Sequence, residues 1–337
     1  MKAIALLSGG LDSTLAAKII QDQGIEVVAL HFTSPFCLCD KHSPKNIRLN
    51  SGCRNEAFEV SKNLGIELKV MNKGNEILEI IKKPKHGFGS NMNPCIDCRI
   101  LMFKKAKVYM EEIGASFIFT GEVVGQRPMS QKKHIMSLID KEAGLTGLVL
   151  RPLSAKLMPE TLPEKDGWVK REKLLDITGR TRKPQIALAE GYNIKDYPCA
   201  AGGCLLTDPE FSKRLKDLLK FGELTQDEIR LLKIGRHFRF SEHTKLVVGR
   251  DEQENEQLLK LKQEGDCIIF PKEAKGPAGL LRGKVAEDYI AKSAGIIARY
   301  CDRIGVERVE ILFSSDKESG EIEVEPMANE ALKAIRI

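Results

Sequence analysis

The sequence predicts an α/β protein in which a doubly wound parallel sheet is followed by a smaller α+β domain. In the first half, short apolar segments alternate with segments whose apolar residues recur at helical spacing, which is the pattern of right-handed strand–helix–strand crossovers. After about residue 234, short β-like segments surround two helical segments instead. We therefore predict a boundary near residues 222–233, with one domain at 1–225 and a second at 234–337.

Each predicted element follows from the spacing of its apolar residues. In the first domain, strands are predicted at residues 2–7, 25–32, 66–71 and 116–120, and helices at 12–23, 54–64, 99–113, 171–178 and 209–221. In the second domain, strands are predicted at 237–240, 245–249, 267–270 and 309–313, and helices at 252–263 and 285–300.

The composition is that of a globular protein, with 42% hydrophobic and 30% charged residues among 337. No segment approaches the roughly 20 apolar residues that span a bilayer. The apolar N-terminal segment is too short for a signal peptide, so we expect a cytoplasmic protein. The net charge of +6 suits a polyanionic partner without proving one.

A glycine-rich segment, Ser-Gly-Gly-Leu-Asp-Ser at residues 8–13, joins the first strand to the first helix. Glycines allow a tight turn that brings backbone amides close to phosphate, and the helix N-terminus adds a positive dipole end. The carboxylate of Asp12 is better suited to hold magnesium or to orient the loop than to contact phosphate. The segment lacks the ending of a Walker loop, which disfavours γ-phosphate hydrolysis. An ordinary glycine-rich turn with a serine cap is the alternative.

This segment resembles the PP-loop of N-type ATP pyrophosphatases. The resemblance implies cleavage of ATP between its α and β phosphates, with the loop holding pyrophosphate while a substrate carbonyl oxygen is adenylated. It also implies that the end of the second strand receives adenine and that Thr-Gly-Glu at 120–122 opens a second nucleotide motif. The nucleotide-binding residues expected on this basis are Ser8, Gly9, Gly10, Asp12, Ser13, Thr14, His31, Phe32, Gly121, Gln126 and Arg127.

Nine cysteines exceed what packing requires of a protein in a reducing compartment, so a metal or redox role is indicated. Cys95 and Cys98 form a Cys-x-x-Cys pair at a helix start, which serves zinc, iron–sulfur or redox sites. A third sulfur could come from Cys199 or Cys204, which flank a glycine-containing loop. Three cysteines suit a 4Fe-4S cluster with one open iron, whereas a persulfide route needs only a carrier and a resolving cysteine. Structural zinc or inert thiols remain further alternatives.

The segment Asn-Pro-Cys-x-x-Cys, followed by a helix and Thr-Gly-Glu, is similar to that of tRNA thiouridine synthases. By this resemblance, Cys95, Cys98 and the Gly-Gly-Cys residue Cys204 are the cluster ligands and catalytic cysteines, together with catalytic Asp12, and Cys199 is the alternative third ligand. Three other cysteines are expected to be spectators: Cys37, Cys39 and Cys53. Two further cysteines are expected to be buried small hydrophobes: Cys267 and Cys301.

Basic residues in the middle of the chain suit contacts with RNA phosphates, although a solvated basic face is the alternative. They are Lys132, Lys133, Arg151, Lys156, Lys170, Arg171 and the segment 180–183. Residues 245–255 and 276–279 resemble the RNA-binding domain of NFACT-type proteins. This C-terminal domain departs from those of typical thiouridine synthases and leaves the target nucleotide open.

The predicted function is ATP-dependent thiolation of a tRNA uridine, giving 4-thiouridine or 2-thiouridine, with ATP, Mg²⁺ and a 4Fe-4S cluster as cofactors. The expected partners are tRNA and a sulfur donor, either sulfide or a persulfide-carrying protein, with a homodimer left open and no membrane. The alternatives are a PP-loop amidotransferase or ligase acting on a small molecule, with a structural metal at the cysteines, and an RNA-binding adaptor without activity.

Overall fold

The structure is a computed structural model that describes residues 1–37, 53–194, 197, 204–302 and 307–337. The chain divides into two compact units between Thr207 and Asp208. Cys39, Cys199 and part of the segment before Cys204 lie outside the described residues. Within the described part, no helix is long and apolar enough to cross a membrane.

The first unit is built on a five-stranded parallel sheet in the order β3-β2-β1-β4-β5. Its strands are β1 (Lys2–Leu6), β2 (Glu26–Thr33), β3 (Glu67–Asn72), β4 (Phe117–Thr120) and β5 (Val149–Leu150). Its helices are α1 (Leu11–Gln21), α2 (Cys53–Leu64), α3 (Glu76–Lys82), α4 (Cys95–Glu112), α5 (Lys133–Glu142), α6 (Leu162–Lys165) and α7 (Lys183–Gly191).

Two hydrophobic layers cover the two faces of this sheet, which makes it doubly wound as predicted. On one face, α1 packs Leu15 and Ile19 against alternate residues of β1 such as Ala3. On the other face, α4 packs Ile100 and Phe103 in the same core as Ile4 and Val28. The central strands β1, β2 and β4 are buried on both faces, as parallel strands are in α/β proteins, whereas the edge strand β3 is more exposed.

The second unit carries a six-stranded antiparallel sheet in the order β11-β10-β8-β9-β7-β6. Its strands are β6 (Arg236–Ser241), β7 (Thr244–Val248), β8 (Cys267–Pro271), β9 (Gly279–Gly283), β10 (Val309–Ser314) and β11 (Ser319–Val324). Its helices are α8 (Pro209–Phe221), α9 (Gln226–Lys233), α10 (Glu252–Lys260), α11 (Glu287–Tyr300) and α12 (Asn329–Ile335). Helix α11 lays its apolar face on the sheet, and Cys267 and Cys301 are buried in that core, as expected.

The predicted fold class is confirmed, but some local details differ. The two compact units meet at Thr207 and Asp208, whereas the predicted boundary lies farther along the chain. The difference arises because α8 and α9 are bonded to the antiparallel sheet: Asp217 pairs with Arg239, and Glu228 pairs with Lys245 and Arg282. The helix predicted at 171–178 is wrong, because a single 3₁₀ turn at Arg171–Lys173 is followed by extended chain.

Candidate functional site

The glycine-rich loop turns sharply between β1 and α1. Gly9 has a φ of 81°, and a Cβ there would lie 2.6 Å from the backbone nitrogen of Ala57. Glycine is therefore required both by conformation and by space. The Ser13 hydroxyl donates to the Gly10 carbonyl at 2.8 Å and lies 3.1 Å from the Ser8 hydroxyl. These bonds hold the loop at the N-terminus of α1, where orphan amides and the helix dipole favour an anion.

The turn after β4 lies against this loop. The Gln126 amide donates to Asp12 Oδ2 at 3.0 Å, while Asp12 Oδ1 is buried and has no hydrogen-bond partner within the described residues. A Cβ on Gly121 would lie 2.4 Å from the Ser13 nitrogen. In a doubly wound sheet, the crevice beyond the carboxyl ends of β1 and β4 is where ligands bind, because the strand order reverses there.

Replacing Gly121 with alanine should disrupt this contact. The added Cβ would overlap the backbone of Asp12 and Ser13, which cannot rotate away as a side chain can. We expect Gly121→Ala to destabilise the protein by about 1–3 kcal/mol and to weaken ATP binding by about tenfold or more, equivalent to at least about 1.4 kcal/mol. Calorimetric ATP titration and urea unfolding measure the two effects.

The matched control is Gly191→Ala, since a Cβ at Gly191 would meet no atom within 4 Å. That variant should bind ATP and unfold as the parent chain does. Unchanged ATP affinity in Gly121→Ala would show that the turn does not shape the loop.

Glu122 and Arg151 form a buried ionic network beneath the same turn. Arg151 is 3% exposed, and its guanidinium donates to Glu122 Oε2 at 3.1 Å and to both Asp140 oxygens at 2.8 Å. Arg99 pairs with Glu122 Oε1 at 3.0 Å. The interpretation of Arg151 as an RNA-contacting residue is wrong, because its charge is enclosed by two carboxylates.

The pKa values in this network reflect competition between burial and charge. Burial raises the pKa of Glu122, but Arg99 and Arg151 outweigh it, so the pKa lies below its ordinary value. For Asp140 burial outweighs the bonds from Arg151, so its pKa is raised. The pKa of Arg151 is raised because the two carboxylates outweigh burial. The network thus keeps Glu122 and Arg151 ionised.

Arg151→Met should lower the free energy of unfolding by about 3–5 kcal/mol, because the buried Glu122 carboxylate then keeps only one of its two guanidinium partners, Arg99. Urea unfolding followed by circular dichroism measures the effect. Lys141→Met on the exposed side of α5 is the control and should lie within about 0.5 kcal/mol of the parent chain. Equal stability of the two variants would show that the network is not structural.

Among the other residues expected to bind the nucleotide, His31, Phe32 and Thr14 are buried and Arg127 is exposed. His31 is buried, and its Nδ1 lies 2.8 Å from the Leu7 carbonyl, which ties β2 to the start of the loop. Phe32 packs in the core on the α4 face. Thr14 bonds its hydroxyl to the Gly10 carbonyl at 3.1 Å. Arg127 is exposed, and the hydrogen bonds given for it within the described residues are those of its backbone nitrogen and carbonyl with Gln131.

The Cys-x-x-Cys pair occupies the first turn of α4. Both thiols are half-buried, and Cys98 donates its amide to the Pro94 carbonyl at 2.9 Å. Lys73, which directly follows β3, donates its ammonium to Cys98 Sγ at 3.2 Å. Burial alone would lower the pKa of Lys73, but the sulfurs of Cys98, Cys37 and Cys204 raise it above its ordinary value. The Lys73 ammonium therefore lies beside the Cys98 thiol.

The segment Cys204–Thr207 docks beside this pair through backbone bonds. Leu205 donates to the Phe36 carbonyl at 2.9 Å, and Met92 donates to the Leu206 carbonyl at 3.1 Å. Cys204 pairs across an antiparallel bridge with Cys37. The segment thus joins the chain after β2 to the chain before α4, and it gathers Cys37, Cys98, Cys204 and Lys73.

The pKa of the Cys204 thiol lies well above that of an ordinary cysteine. Burial raises its pKa to about 12, with smaller raising effects from Cys98 and Cys37, while a bond to the Leu206 backbone and the Lys73 charge lower it. Because alkylation requires the thiolate, labelling by iodoacetamide at pH 8 should run roughly a thousandfold below that of an unperturbed thiol. The rate should rise about tenfold per pH unit as far as the fold persists.

Peptide-resolved mass spectrometry measures this rate at each pH, with urea-unfolded chain as the reference. If native Cys204 is labelled at pH 8 as fast as in unfolded chain, the buried environment described here is wrong.

The described residues do not form a metal site. Among them, no group of three or more histidine, cysteine, aspartate or glutamate side chains is arranged to hold one ion. Cys95, Cys98 and Cys204 are all half-buried, and Lys73 donates its ammonium to Cys98. The 4Fe-4S cluster stays a prediction, with its alternative ligand Cys199 outside the described residues.

Several site residues had no sequence motif to mark them. Lys73 directly follows the carboxyl end of β3. This position at the ligand-binding edge of a parallel sheet is the sequence signal that could have marked it as a site residue. The sequence predicts that Cys37 is a spectator, but Cys37 lies opposite Cys204. Glu122 belonged to the quoted Thr-Gly-Glu motif, yet its buried partners Arg99 and Arg151 come from distant segments and could not be paired without the fold.

Comparison with known proteins finds that the two units are similar to different families. Residues 1–156 match the family model described as thiamine biosynthesis protein (ThiI), and residues 235–336 match that of the NFACT protein RNA binding domain. These matches confirm the two resemblances drawn from the sequence.

Curated relatives match part of the chain. The tRNA-specific 2-thiouridylase MnmA of Nitratiruptor is 29% identical over 124 residues, which is 36% of this chain and 34% of that protein. A probable tRNA sulfurtransferase of Thermococcus kodakarensis is 30% identical over 152 residues, which is 45% of this chain and 36% of that protein. The chain thus spans about a third of the length of these relatives.

Among solved structures, the chain is similar to a 4-thiouridine synthetase–RNA complex with bound ATP. The identity is 22%, the TM-score is 0.39, and the match covers 69% of this chain and 52% of that one.

Proposed function

We propose that this chain, which joins a ThiI-type PP-loop unit to an NFACT-type RNA-binding domain, uses ATP to replace a uridine oxygen of tRNA with sulfur. The observation that supports this most is that the phosphate-binding loop and the thiols lie at the same edge of the sheet. The phosphate-binding loop follows β1, Cys37 follows β2, and Lys73, which bonds to Cys98 on α4, follows β3. Strands β1, β2 and β3 are neighbours and parallel in the sheet. Their carboxyl ends therefore lie along one edge of the sheet.

In the first half of the reaction, the loop amides and the N-terminus of α1 bind the β and γ phosphates of ATP. The uridine oxygen attacks the α phosphorus, and pyrophosphate leaves. Asp12 is the residue that would hold Mg²⁺, because its Oδ1 is buried without a hydrogen-bond partner in the described residues while Gln126 fixes its Oδ2. Magnesium would supply charge neutralisation at the phosphates when bound. The exposed guanidinium of Arg127 supplies a further positive charge.

In the second half, sulfur displaces AMP from the activated uridine carbon. Cys98 and Cys204 are the proposed sulfur-handling residues, and Lys73 is placed to stabilise a thiolate at Cys98. Cys95, one turn earlier on α4, belongs to the same proposal. Cys95, Cys98 and Cys204 are the residues that would hold a 4Fe-4S cluster, which would supply an open iron for sulfide, and no step is routed through it.

The proposed polynucleotide partner is tRNA. Exposed basic residues that would position its phosphates occur at Lys132, Lys133, Lys156, Lys170 and Arg180. The choice between 4-thiouridine and 2-thiouridine stays open, as does the sulfur donor, sulfide or a persulfide-carrying protein. A cytoplasmic location remains a prediction.

The test is the nucleotide product. ATP labelled at its α phosphate is incubated with purified chain, magnesium and unmodified tRNA transcript, and the products are separated. We expect labelled AMP, with an equal amount of pyrophosphate from the unlabelled β and γ phosphates, only when tRNA is present. Formation of ADP, or AMP formation that needs ammonia or glutamine and ignores tRNA, would replace this proposal with a hydrolase or an amidotransferase.

A further inference from the structure

One buried arginine of the second unit has no carboxylate bound to it. Arg214 on α8 is 8% exposed, and its Nε donates to the Glu210 carbonyl of its own helix at 3.1 Å. In the described part of the chain, its terminal nitrogens Nη1 and Nη2 have neither a hydrogen bond nor a salt bridge. Burying a charge is costly unless it is paired and hydrogen-bonded, so this guanidinium is poised for an anionic acceptor.

The carboxylates around Arg214 do not fill that role. Three of them attract it, and each is bonded to another group. They are Asp208, which accepts from the Phe211 amide at 2.7 Å, Glu210, which pairs with Lys213 at 2.8 Å, and Glu254, which pairs with Arg250 at 3.2 Å. Burial and the charge of Arg250 outweigh their attraction, so the pKa of Arg214 lies below its ordinary value.

Three more arginines lie around β6. Arg236 begins this strand and donates to the Gly249 carbonyl at 2.9 Å, Arg250 directly follows Gly249, and Arg336 forms a backbone bridge with Phe238. Burial and the charges of Arg250 and Arg336 lower the pKa of Arg236. Arg250 and Arg336 are exposed. The arginine cluster, which is Arg214, Arg236, Arg250 and Arg336, therefore extends from a buried guanidinium to the surface.

The charge of this cluster fits a strand of phosphates better than one ion. Within the described residues, its four arginines have one salt-bridge partner, Glu254 on Arg250, so three arginines are without a carboxylate. Each backbone phosphate carries one negative charge, and guanidinium groups match phosphate oxygens through paired hydrogen bonds. Three members of the cluster belong to residues 235–336, the NFACT-type RNA-binding domain, whereas Arg214 precedes that domain.

We propose that the arginine cluster binds consecutive backbone phosphates of tRNA and that the Arg214 guanidinium donates to one of them. The identity of the RNA rests on the proposed function, whereas the phosphate site rests on the cluster alone. Phosphate contacts fix an RNA in place without reading its sequence. The cluster thus anchors the substrate and does not choose the uridine.

The test compares tRNA binding by the full-length parent chain and by Arg214→Met at several salt concentrations. Fluorescence anisotropy of a labelled, unmodified tRNA transcript without ATP gives the affinity. Loss of one charged contact should weaken binding by about tenfold or more. It should also reduce the slope of log affinity against log salt by about 1. A transcript of unrelated sequence should show the same losses.

Arg308→Met is the matched control. Arg308 is exposed and pairs with Glu323 at 3.6 Å and Glu325 at 3.4 Å, beside β10 and β11 at the opposite edge of the sheet from β6. This variant loses the same charge and should bind tRNA as the parent chain does. Equal affinity and equal salt slope in Arg214→Met and Arg308→Met would overturn the inference.

Urea unfolding without RNA separates a binding role of Arg214 from a structural one. Because the substitution removes an unpaired buried charge, the urea midpoint of Arg214→Met should be no lower than that of the parent chain. A lower midpoint together with weaker tRNA binding would show that Arg214 supports the fold and would overturn the inference. If Arg214→Met does not fold, Arg336→Met replaces an exposed member of the cluster, and parent-like affinity and slope there would overturn it.

Two further measurements separate the site from a free-ion site and from the proposed function. Calorimetric binding of inorganic phosphate that disappears in Arg214→Met, with tRNA affinity unchanged, would assign the cluster to a free ion and overturn the RNA contact. If Arg214→Met binds tRNA weakly but the parent chain forms no AMP with tRNA, the site stands and the proposed function fails. If the parent chain forms AMP and Arg214→Met binds tRNA normally, the function stands and the site fails.

Discussion

Replacing Asp12 with alanine should lower the rate of AMP formation by about 10²–10³-fold, comparable to the loss of one group that stabilises transition-state charge. Asp12 lies at the N-terminus of α1, and its Oδ1 has no other partner within the described residues. Its loss removes the proposed magnesium ligand and also the Gln126 bond. The measurement is AMP release from α-labelled ATP at saturating tRNA and varied magnesium.

Asp22→Ala is the control at the opposite end of the same helix. Asp22 pairs with half-buried Lys18 at 2.7 Å and accepts a hydrogen bond from the Tyr192 hydroxyl, and its removal should leave AMP formation unchanged. If Asp12→Ala forms AMP at the parent rate, the assignment of the loop carboxylate to adenylation is wrong.

Replacing Cys204 with alanine should abolish thionucleoside formation while AMP formation and ATP binding persist. Cys204 lies after the glycine-containing loop, and its segment is held by backbone bonds to Phe36 and Met92 that alanine preserves. The substitution therefore removes the sulfur with little change in the backbone. Thiolation is measured by mass spectrometry of digested tRNA, and adenylation by AMP release from the same reaction.

Serine or alanine at the buried Cys267 provides the comparison, since that thiol lies in the core of the second unit. Thiolation by Cys204→Ala at the parent rate would exclude Cys204 as the sulfur carrier and direct attention to Cys199.

The sequence predicted the first half of the fold well because its signals are local. The apolar segments at β1, β2 and β4 and the glycine-rich loop at 8–13 each specify a conformation over a few residues. The helix predicted at 171–178 is wrong. Its apolar residues Leu174 and Ile177 are buried within an extended segment, whose backbone amides donate hydrogen bonds to the Pro152 and Leu153 carbonyls. Tertiary contacts there override the spacing.

The candidate site was predictable only where one motif contained it. Cys95 and Cys98 are three residues apart, so their common location follows from helix geometry. The pairing of Cys37 with Cys204, and of Lys73 with Cys98, joins residues separated by 167 and 25 positions. Such contacts depend on which strands are neighbours in the sheet, and no local pattern specifies that order.

The central claim is that ATP activates a tRNA uridine whose oxygen is then replaced by sulfur at one edge of the sheet. The most direct test is nucleoside mass spectrometry of total tRNA from cells that lack this chain and from cells that also carry it on a plasmid. The account predicts that one thiouridine disappears and that the plasmid restores it, but not when it carries Asp12→Ala or Cys204→Ala. An unchanged set of thionucleosides in the deleted strain would contradict it.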